Sequence, residues 1–528
     1  MTNIAHNMQG ADSLDESDVV VGPDGAQHNP QNPAIRLPPE IIGHIFAILS
    51  SIDEPQPLSS IYQPPYAKNG SMGWLTVTHV CQRWRSVALE NPSLWASNIT
   101  LPCLLGVHWA NTFLSRAQDA PLEIRCPTVD FDWRYLLPGS DTVSAYLART
   151  RVLCLNASDA ALRLLCNPAP LLRTLDIKYV SDPTDPTVPL NALPEDLLGG
   201  ATGAPSLLHL SLESRGPLPS PWTLSILAGL KSLNVKNGSR WIEREELAEM
   251  FTTLGGMPAL EQLTLRLKLT PFALETAPQP VVALPSLRKF KLVTDIASAC
   301  HVLARVALPA TASVHCDIYF TESSAKLHAL LSAAAACIHV RAAPIARIEI
   351  LPTIIEGQWM CVDVTAWRTK SADLPALSMS FRRCSQDARV DQGLVAAVLA
   401  TLGSAHLAVL AIGSDGSDAT WPAALHGAHA LRRVWVAGLE AKQFCAALAA
   451  APAGFLPALA TLEIHDVDFG EGEDAGLAGV LAQGLEQRAH AGSALRTLTF
   501  VGCKLEDAQV YRMIEAVPWL GVQIVHGV

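Results

Sequence analysis

The sequence predicts an α/β protein in which a small all-α module at the amino end precedes a long array of alternating strands and helices. Two apolar patterns with helical spacing lie before residue 98, and a strand-like apolar pattern recurs after residue 99. The predicted organisation is a disordered tail at 1–33, a helical domain at 34–98 with a Pro-rich insert at about 51–73, and a repeat domain at 99–528.

The first helical pattern begins at Pro38 and Pro39, which suit a first helical turn because proline lacks the N–H that would be unpaired there. Glu40 follows, where the helix dipole favours a negative charge. One broad apolar stripe runs along this helix and must be covered by another element. Its members are Ile41, Ile42, Ile45, Phe46 and Leu49.

The second pattern predicts one continuous helix that starts at Thr76 as N-cap and stops at Asn91-Pro92. Its apolar residues again share one face: Val77, Val80, Cys81, Trp84, Val87 and Ala88. Prolines and glycines between the two patterns oppose helix and strand and predict an exposed loop. These are Pro55, Pro57, Pro64, Pro65, Gly70 and Gly73.

The two patterns together resemble an F-box, a small helical module that docks onto an adaptor protein, and the similarity is to fungal F-box and F-box-like proteins. A plain helical hairpin is the alternative, and the insert of about twenty residues departs from the family pattern. The resemblance implies a Skp-type adaptor as partner. It also implies that the docking surface is formed or supported by Leu37, Pro38, Pro39, Glu40, Ile41, Ile45, Phe46, Val80, Cys81 and Trp84, with Leu94-Trp95 completing the match.

The pattern apolar-x-x-apolar-x-apolar occurs eleven times in the second part of the chain. Most intervals are 23 to 36 residues; one of 58 contains the alternating residues Val314, Cys316, Ile318 and Phe320, which predict a degenerate repeat. This spacing predicts a leucine-rich-repeat solenoid, a horseshoe with a parallel sheet. The occurrences start at Leu172, Leu207, Leu230, Leu260, Leu287, Ile345, Leu374, Leu407, Leu431, Leu459 and Leu495.

One-faced helices are predicted in three of the gaps, starting near Leu247, Leu477 and Val510. The usual repeat asparagine is mostly missing, so a doubly wound α/β domain remains an alternative. The resemblance favours the solenoid, because fungal F-box proteins commonly carry degenerate leucine-rich repeats after the F-box.

Composition narrows the classes of function. The net charge of −11 and the absence of Lys/Arg runs argue against a nucleic-acid partner. The acidic first twenty residues do not form a signal peptide, and Gly403-Ser404 and His406 interrupt the longest apolar stretch, so no membrane segment is predicted. Twelve singly spaced cysteines indicate reduced thiols. We therefore expect a cytoplasmic or nuclear protein.

No catalytic residue, cofactor or metal is predicted. The fragment Gly470-Glu471-Gly472 imitates a dinucleotide loop, but Glu471, Glu473 and Asp474 would repel a pyrophosphate. His315, His406 and His465 lack a second ligand at metal-site spacing, and Asp415 to Asp418 fit a turn. An enzyme that binds a nicotinamide cofactor at the Gly470 loop is the remaining catalytic alternative.

We expect one face of the predicted sheet to be a binding face, because polar residues alternate with the aliphatic residues of its strands. Lys236, Arg266, Lys268, Lys289 and Lys291 come from three successive strands and would form a basic stripe suited to an acidic or phosphorylated target, with Trp435 as an aromatic anchor. A solvated face without a partner is the alternative. The resemblance implies the substrate receptor of an SCF-type cullin-RING ubiquitin ligase with an unknown protein target, or an interaction protein without a ligase role.

Overall fold

A computed structural model describes the chain in two compact units, Met1–Leu94 and Trp95–Val528. The predicted tail and most of the predicted insert lie outside the described residues. Those residues are 37–53, 72–97, 107–126, 140–180, 193–214, 216, 218–271, 281–320, 324–338, 344–355, 359–369, 374–383, 393–413, 421–452, 454–470, 476–493 and 495–525.

The first unit is helical. Helix α1 (Pro39–Ile52) is followed by a 3-10 helix (Gly73–His79) and α2 (Gln82–Leu89), and the boundary between the units falls within the short helix α3 (Pro92–Ala96). The prediction of one continuous helix from Thr76 was wrong: the chain breaks at Cys81, whose backbone is extended (φ −160°, ψ 166°). In the sequence, the apolar residues keep a helical spacing across Cys81, so the spacing alone did not reveal the break.

The role predicted for Thr76 was also wrong. Its hydroxyl donates to the Gly73 carbonyl at 2.9 Å inside the 3-10 helix instead of capping a helix. The tighter 3-10 turn buries Trp74, Leu75 and Val77 together.

Helix α1 carries two apolar stripes rather than the single covered stripe that its sequence suggests. Ile42 and Phe46 are 1% and 0% exposed, and the Phe46 ring packs edge-on against Trp84 with 5.4 Å between ring centroids. The second stripe, which we call the outward stripe, faces away from this core. It consists of Ile41 (47% exposed), Ile45 (half-buried), Ile48 (49%) and Ile52 (73%).

The second unit is a mixed α/β domain. Its strands are β1 (Leu122–Cys126), β2 (Thr150–Ala157), β3 (Thr174–Tyr179), β4 (His209–Ser214), β5 (Ser232–Ile242), β6 (Gln262–Leu269), β7 (Val282–Ala283), β8 (Lys289–Asp295), β9 (Val306–Ala307), β10 (Ser313–Phe320), β11 (Arg347–Ile355), β12 (Trp359–Trp367), β13 (Leu377–Arg383), β14 (Val409–Ile412), β15 (Arg433–Ala437), β16 (Thr461–His465), β17 (Thr497–Val501) and β18 (Gly521–Val525).

Helices fill many of the connections. They are α4 (Val107–Ala117), α5 (Ser140–Arg149), α6 (Asp159–Leu164), α7 (Arg244–Gly255), α8 (Ile296–Leu303), α9 (Ser324–Cys337), α10 (Leu394–Leu402), α11 (Trp421–Ala424), α12 (Gly438–Ala450), α13 (Leu477–His490) and α14 (Asp507–Ala516), with 3-10 helices at Leu197–Thr202 and Ser225–Gly229. A strand coincides with each of the eleven apolar patterns, and α7, α13 and α14 coincide with the three predicted helices.

Sixteen of the described strands form one mostly parallel sheet that follows chain order except at one place. There the order is β10-β13-β12-β11-β14, and β12 pairs antiparallel with both of its neighbours. The prediction of a parallel sheet was therefore wrong at this point, although most of the sheet is parallel. The pattern at Leu374 does mark a strand, but a hairpin returns it to the side of β10.

In the strands that the structure describes, one face of the sheet is apolar and buried, and the other carries the polar side chains. On β6, Leu263 and Leu265 are buried while Thr264 and Arg266 point to the other side, and the neighbouring strands alternate in the same way. A doubly wound domain would bury both faces of its strands. The alternation thus argues against that alternative, and we call the polar side the open face.

Because α1 has one buried and one exposed stripe, substitutions at two adjacent positions should differ in their effect on stability. Ile42→Ala removes a buried side chain and should destabilise α1 by about 2–5 kcal/mol. Ile41→Ala is the matched control and should change stability by less than about 0.5 kcal/mol, because Ile41 lies on the outward stripe. Hydrogen–deuterium exchange of peptides covering Pro39–Ile52 in the full chain measures both. Equal loss of protection in the two variants would contradict the assignment of faces.

Candidate protein-interaction surfaces

The first candidate surface lies on α1 and on the break before α2. Of the ten residues predicted to meet the adaptor, six are exposed: Pro38, Pro39, Glu40, Ile41, Val80 and Cys81. Leu37, Ile45 and Trp84 are half-buried, and Phe46 is fully buried. Phe46 is therefore placed to support this surface from behind rather than to touch a partner.

Hydrogen bonds to backbone carbonyls fix the geometry of this surface. The Pro38 carbonyl accepts from the amides of Ile41 at 3.0 Å and Ile42 at 3.1 Å, which starts the helix without a side-chain cap. The Arg83 guanidinium donates to the Leu37 carbonyl and ties the amino end of α1 to α2. Arg85 donates through Nε to the Thr78 carbonyl at 2.8 Å and spans the break that exposes Val80.

The second candidate surface is the open face of the sheet. The five predicted basic residues all lie on it, on β5, β6 and β8, but at four different levels along the strands. Lys236 is level with Arg266, Lys291 with Thr264 and Lys289 with Gln262, while Lys268 lies one level beyond Arg266. They therefore form a patch rather than a single row.

Acidic residues on the flanking strands pair with part of this patch. Glu213 on β4 accepts from Lys236 at 3.5 Å. On the other side, the Asp317 carboxylate on β10 lies 3.1 Å from Lys291 Nζ, 2.9 Å from His315 Nε2 and 3.6 Å from the Arg382 guanidinium. In the part of the chain that the structure describes, no carboxylate pairs with Arg266 or Lys289.

Asp317 and Arg382 were missed by the sequence reasoning. Asp317 alternates with His315 in the strand, and this regular alternation was the signal that it faces the same side. Its side chain is 7% exposed. Burial alone would raise the pKa of this carboxyl, but the hydrogen bond and charge of His315, together with those of Lys291, lower the pKa from 3.8 to about 2.

Trp435, the predicted aromatic anchor, is half-buried. Its ring covers Gly413, where a Cβ atom would lie only 3.1 Å from the ring atoms. On the other side its centroid is 4.7 Å from that of His465. Arg433 and Glu463 form an ion pair between β15 and β16, the strands that carry Trp435 and His465. Trp435 is thus packed into the open face.

The residues considered for cofactor or metal binding do not come together among the described positions. The Gly470 amide donates to the Asp468 carboxylate at 3.0 Å, which places a negative charge where a pyrophosphate would bind. Residues 471–475 and 415–418 lie outside the described residues. Within the described ranges, no group of three or more His, Cys, Asp or Glu side chains is arranged to hold a metal ion.

The cysteines of the described segments are unpaired by disulfides. Burial raises the pKa of Cys300 to about 11 and that of Cys445 to about 12. Such thiols are protonated at neutral pH and are poor nucleophiles.

Comparison with known families gives a match for the amino-terminal helical segment that carries the first surface. Residues 34–98 match the family model of the F-box-like domain. A search of curated proteins found no match to the chain. The amino end of this protein is therefore an F-box-like domain, a protein–protein interaction module of a family that generally binds Skp-type adaptors and is typically not enzymatic. None of the described helices is both long enough and apolar enough to cross a membrane.

The lowered pKa of Asp317 predicts a pH-dependent contribution to stability. Because the folded-state pKa lies below the ordinary value of 3.8, the stabilisation is complete well above 3.8 and is lost as pH falls through about 2. Asp317→Asn should therefore lower the free energy of unfolding by on the order of 2 kcal/mol at pH 7. This difference from the wild type should shrink below pH about 5 and vanish near pH 2.

Glu213→Gln is the matched control, since its pair with Lys236 is solvent-exposed and worth less than about 1 kcal/mol. Denaturant unfolding of both variants across this pH range makes the measurement. A difference for Asp317→Asn that does not change with pH would refute an ionic origin.

Proposed function

We propose that this protein is the substrate-recognition subunit of an SCF-type cullin-RING ubiquitin ligase. The observation that carries the proposal is the outward stripe on the F-box-like domain. Four isoleucines at helical spacing lie on the side of α1 that faces away from its core. Three of them are exposed, and Val80 adds a further exposed apolar side chain at 59%. An apolar surface of this kind is typical of a protein docking site.

The Skp-type adaptor would bury the outward stripe and so connect this chain to the cullin-RING core. The strand–helix array that follows the F-box-like domain in the sequence would act as a leucine-rich-repeat solenoid that holds a target protein. Ubiquitin transfer then gains rate from the high effective concentration of target beside the charged enzyme. This role requires no nucleophile from the chain itself.

The open face is the proposed target-binding surface. Its polar side chains do not contribute to the core, so they are available for recognition. The candidate residues are Lys236, Arg266, Lys268, Lys289, Lys291 and Trp435. Charges on a rigid sheet steer encounter with a partner of opposite sign and give specificity.

Co-purification of the adaptor tests the proposal. In the full chain, Ile41→Asp with Ile48→Asp should reduce recovery of a Skp-type adaptor at least about 100-fold, because two charges would be buried at the interface. Ala47→Asp is the matched control: it is exposed on the same helix but lies off the outward stripe, and it should retain the adaptor. Leu37→Ala with Pro38→Ala should also abolish recovery without unfolding the repeats.

Mass spectrometry of the purified complex distinguishes the remaining possibility. Cullin and RING subunits are expected together with the adaptor. An adaptor complex without cullin would favour an interaction protein without a ligase role. Undiminished adaptor recovery by the Ile41 and Ile48 double variant would contradict the proposed docking surface.

A further inference from the structure

A second tryptophan lies on the open face, beside the cationic patch. Trp241 on β5 pairs with Lys268 on β6, and their neighbours Ile242 and Leu269 are buried, so Trp241 and Lys268 share the polar side of the sheet. The Trp241 side chain is 51% exposed. Lys268 Nζ lies 5.8 Å from the centroid of its ring, a cation–π contact that holds both groups.

A bulge in β5 places Trp241 there. Between the Lys236–Arg266 pair and the Trp241–Lys268 pair, β5 advances five positions while β6 advances two. The three extra residues interrupt the hydrogen-bond ladder between the two strands, as bulges do. They place the Trp241 indole at the level directly beyond Arg266. Bulges recur where a strand must re-aim a side chain for a functional purpose.

The charges around Trp241 favour an anion. Lys268 lies beside Trp241 and Arg266 lies one level away on β6, while Lys236, which is level with Arg266 on β5, is paired with Glu213. Acidic residues at neighbouring described positions are Glu243 and Asp295. Glu243 follows Trp241 by two positions and is exposed, and Asp295 on β8 is engaged by Ser298, accepting from its amide at 3.0 Å and from its hydroxyl at 2.7 Å. Arg266 and Lys268 therefore keep their positive charge without a carboxylate partner among the described residues.

Trp241 is better placed to bind a partner than Trp435. Trp435 is held between Gly413 and His465, so a partner would have to displace packed atoms to use its ring. The Trp241 ring has half of its surface open and has cations within reach. Exposed Trp and Arg side chains at one place are the residue types that dominate interface energetics.

We infer that Trp241, Arg266 and Lys268 form a site on the open face that binds an acidic peptide segment carrying an apolar or aromatic residue. The apolar residue of the segment stacks on the indole, and its carboxylates pair with Arg266 and Lys268. The site deepens the proposed function, on which it rests, by assigning the chemistry of the target. Lys289, which pairs with no carboxylate among the described residues, adds positive charge on the neighbouring strand β8, whereas Lys236 and Lys291 are paired with Glu213 and Asp317.

Selection from a random dodecapeptide display library tests this inference with the purified full chain. Enriched peptides should be rich in Asp and Glu, with Trp, Phe or Leu next to the acidic residues. One enriched peptide is then synthesised, and its dissociation constant is measured by fluorescence anisotropy. Trp241→Ala should weaken binding about 30-fold, the change that an interface hot spot produces. Arg266→Glu should weaken it at least as much by reversing a charge.

Trp519→Ala is the matched control, because Trp519 is another exposed tryptophan (63%) and lies just before β18, at the other end of the strand order from β5 and β6. It should change affinity less than about 3-fold, with circular dichroism confirming that each variant is folded. A version of the peptide with phosphoserine in place of an acidic residue separates two sources of the same charge: equal affinity identifies carboxylates as sufficient, and a tenfold gain identifies phosphate. Enrichment of neutral or basic peptides, no enrichment, or undiminished binding by folded Trp241→Ala would overturn the inference.

The proposed function and the Trp241 site are tested by separate experiments, so the failure of one can be distinguished from the failure of the other. Adaptor recovery depends on the outward stripe of α1, whereas peptide selection depends on β5 and β6. Retained adaptor binding without acidic-peptide selection would remove only the site at Trp241. Loss of both would remove the proposed function as well.

Discussion

The structure depends on one constraint: each strand–helix unit has an apolar strand face that it cannot bury alone. Parallel pairing solves this by keeping equivalent residues level, as where Leu210 pairs with Leu233 and Leu233 with Leu263, all of them buried. Because the strand period is two, the intervening residues must all point to the open face. A register fixed by burial on one side thus leaves the other side free to carry charges and aromatic rings without a cost to the core.

The same constraint holds where β12 runs antiparallel to its neighbours in the middle of the sheet. Across the reversed strand β12, the level of buried residues continues without interruption through Cys316, Met379, Val364, Ile350 and Ile412. Antiparallel and parallel pairs both keep alternate side chains on the same faces, so the core cannot distinguish them. For that reason the spacing of apolar residues predicted the strand at Leu377 but not its neighbours: spacing records which side chains are buried, not which strands are adjacent.

The candidate sites were predictable to the same extent. Alternation placed Lys236, Arg266 and Lys291 on the open face correctly, because that inference needs only the local period. The sequence did not predict that Asp317 pairs with Lys291, since the contact joins strands whose register follows from the whole array. On α1, the adjacent residues Ile41 and Ile42 were assigned to one stripe. Their different environments depend on which side of α1 packs against the rest of its unit, which helical spacing alone does not determine.

The cations of the open face are of two kinds: those that contact the buried Asp317 carboxylate and those that do not. Lys291 and Arg382 are ordered by its carboxylate, so their side chains have already lost rotamer freedom before any partner arrives. Each still has donors left, because Lys carries three N–H groups and Arg five. Arg266 has no such carboxylate and must be ordered on binding, at a cost of about 0.5–1.5 kcal/mol. An anionic segment that spans β6 to β10 would therefore meet a preorganised end and an adaptable end, and the contact of Lys268 with Trp241 would give the adaptable end a fixed point.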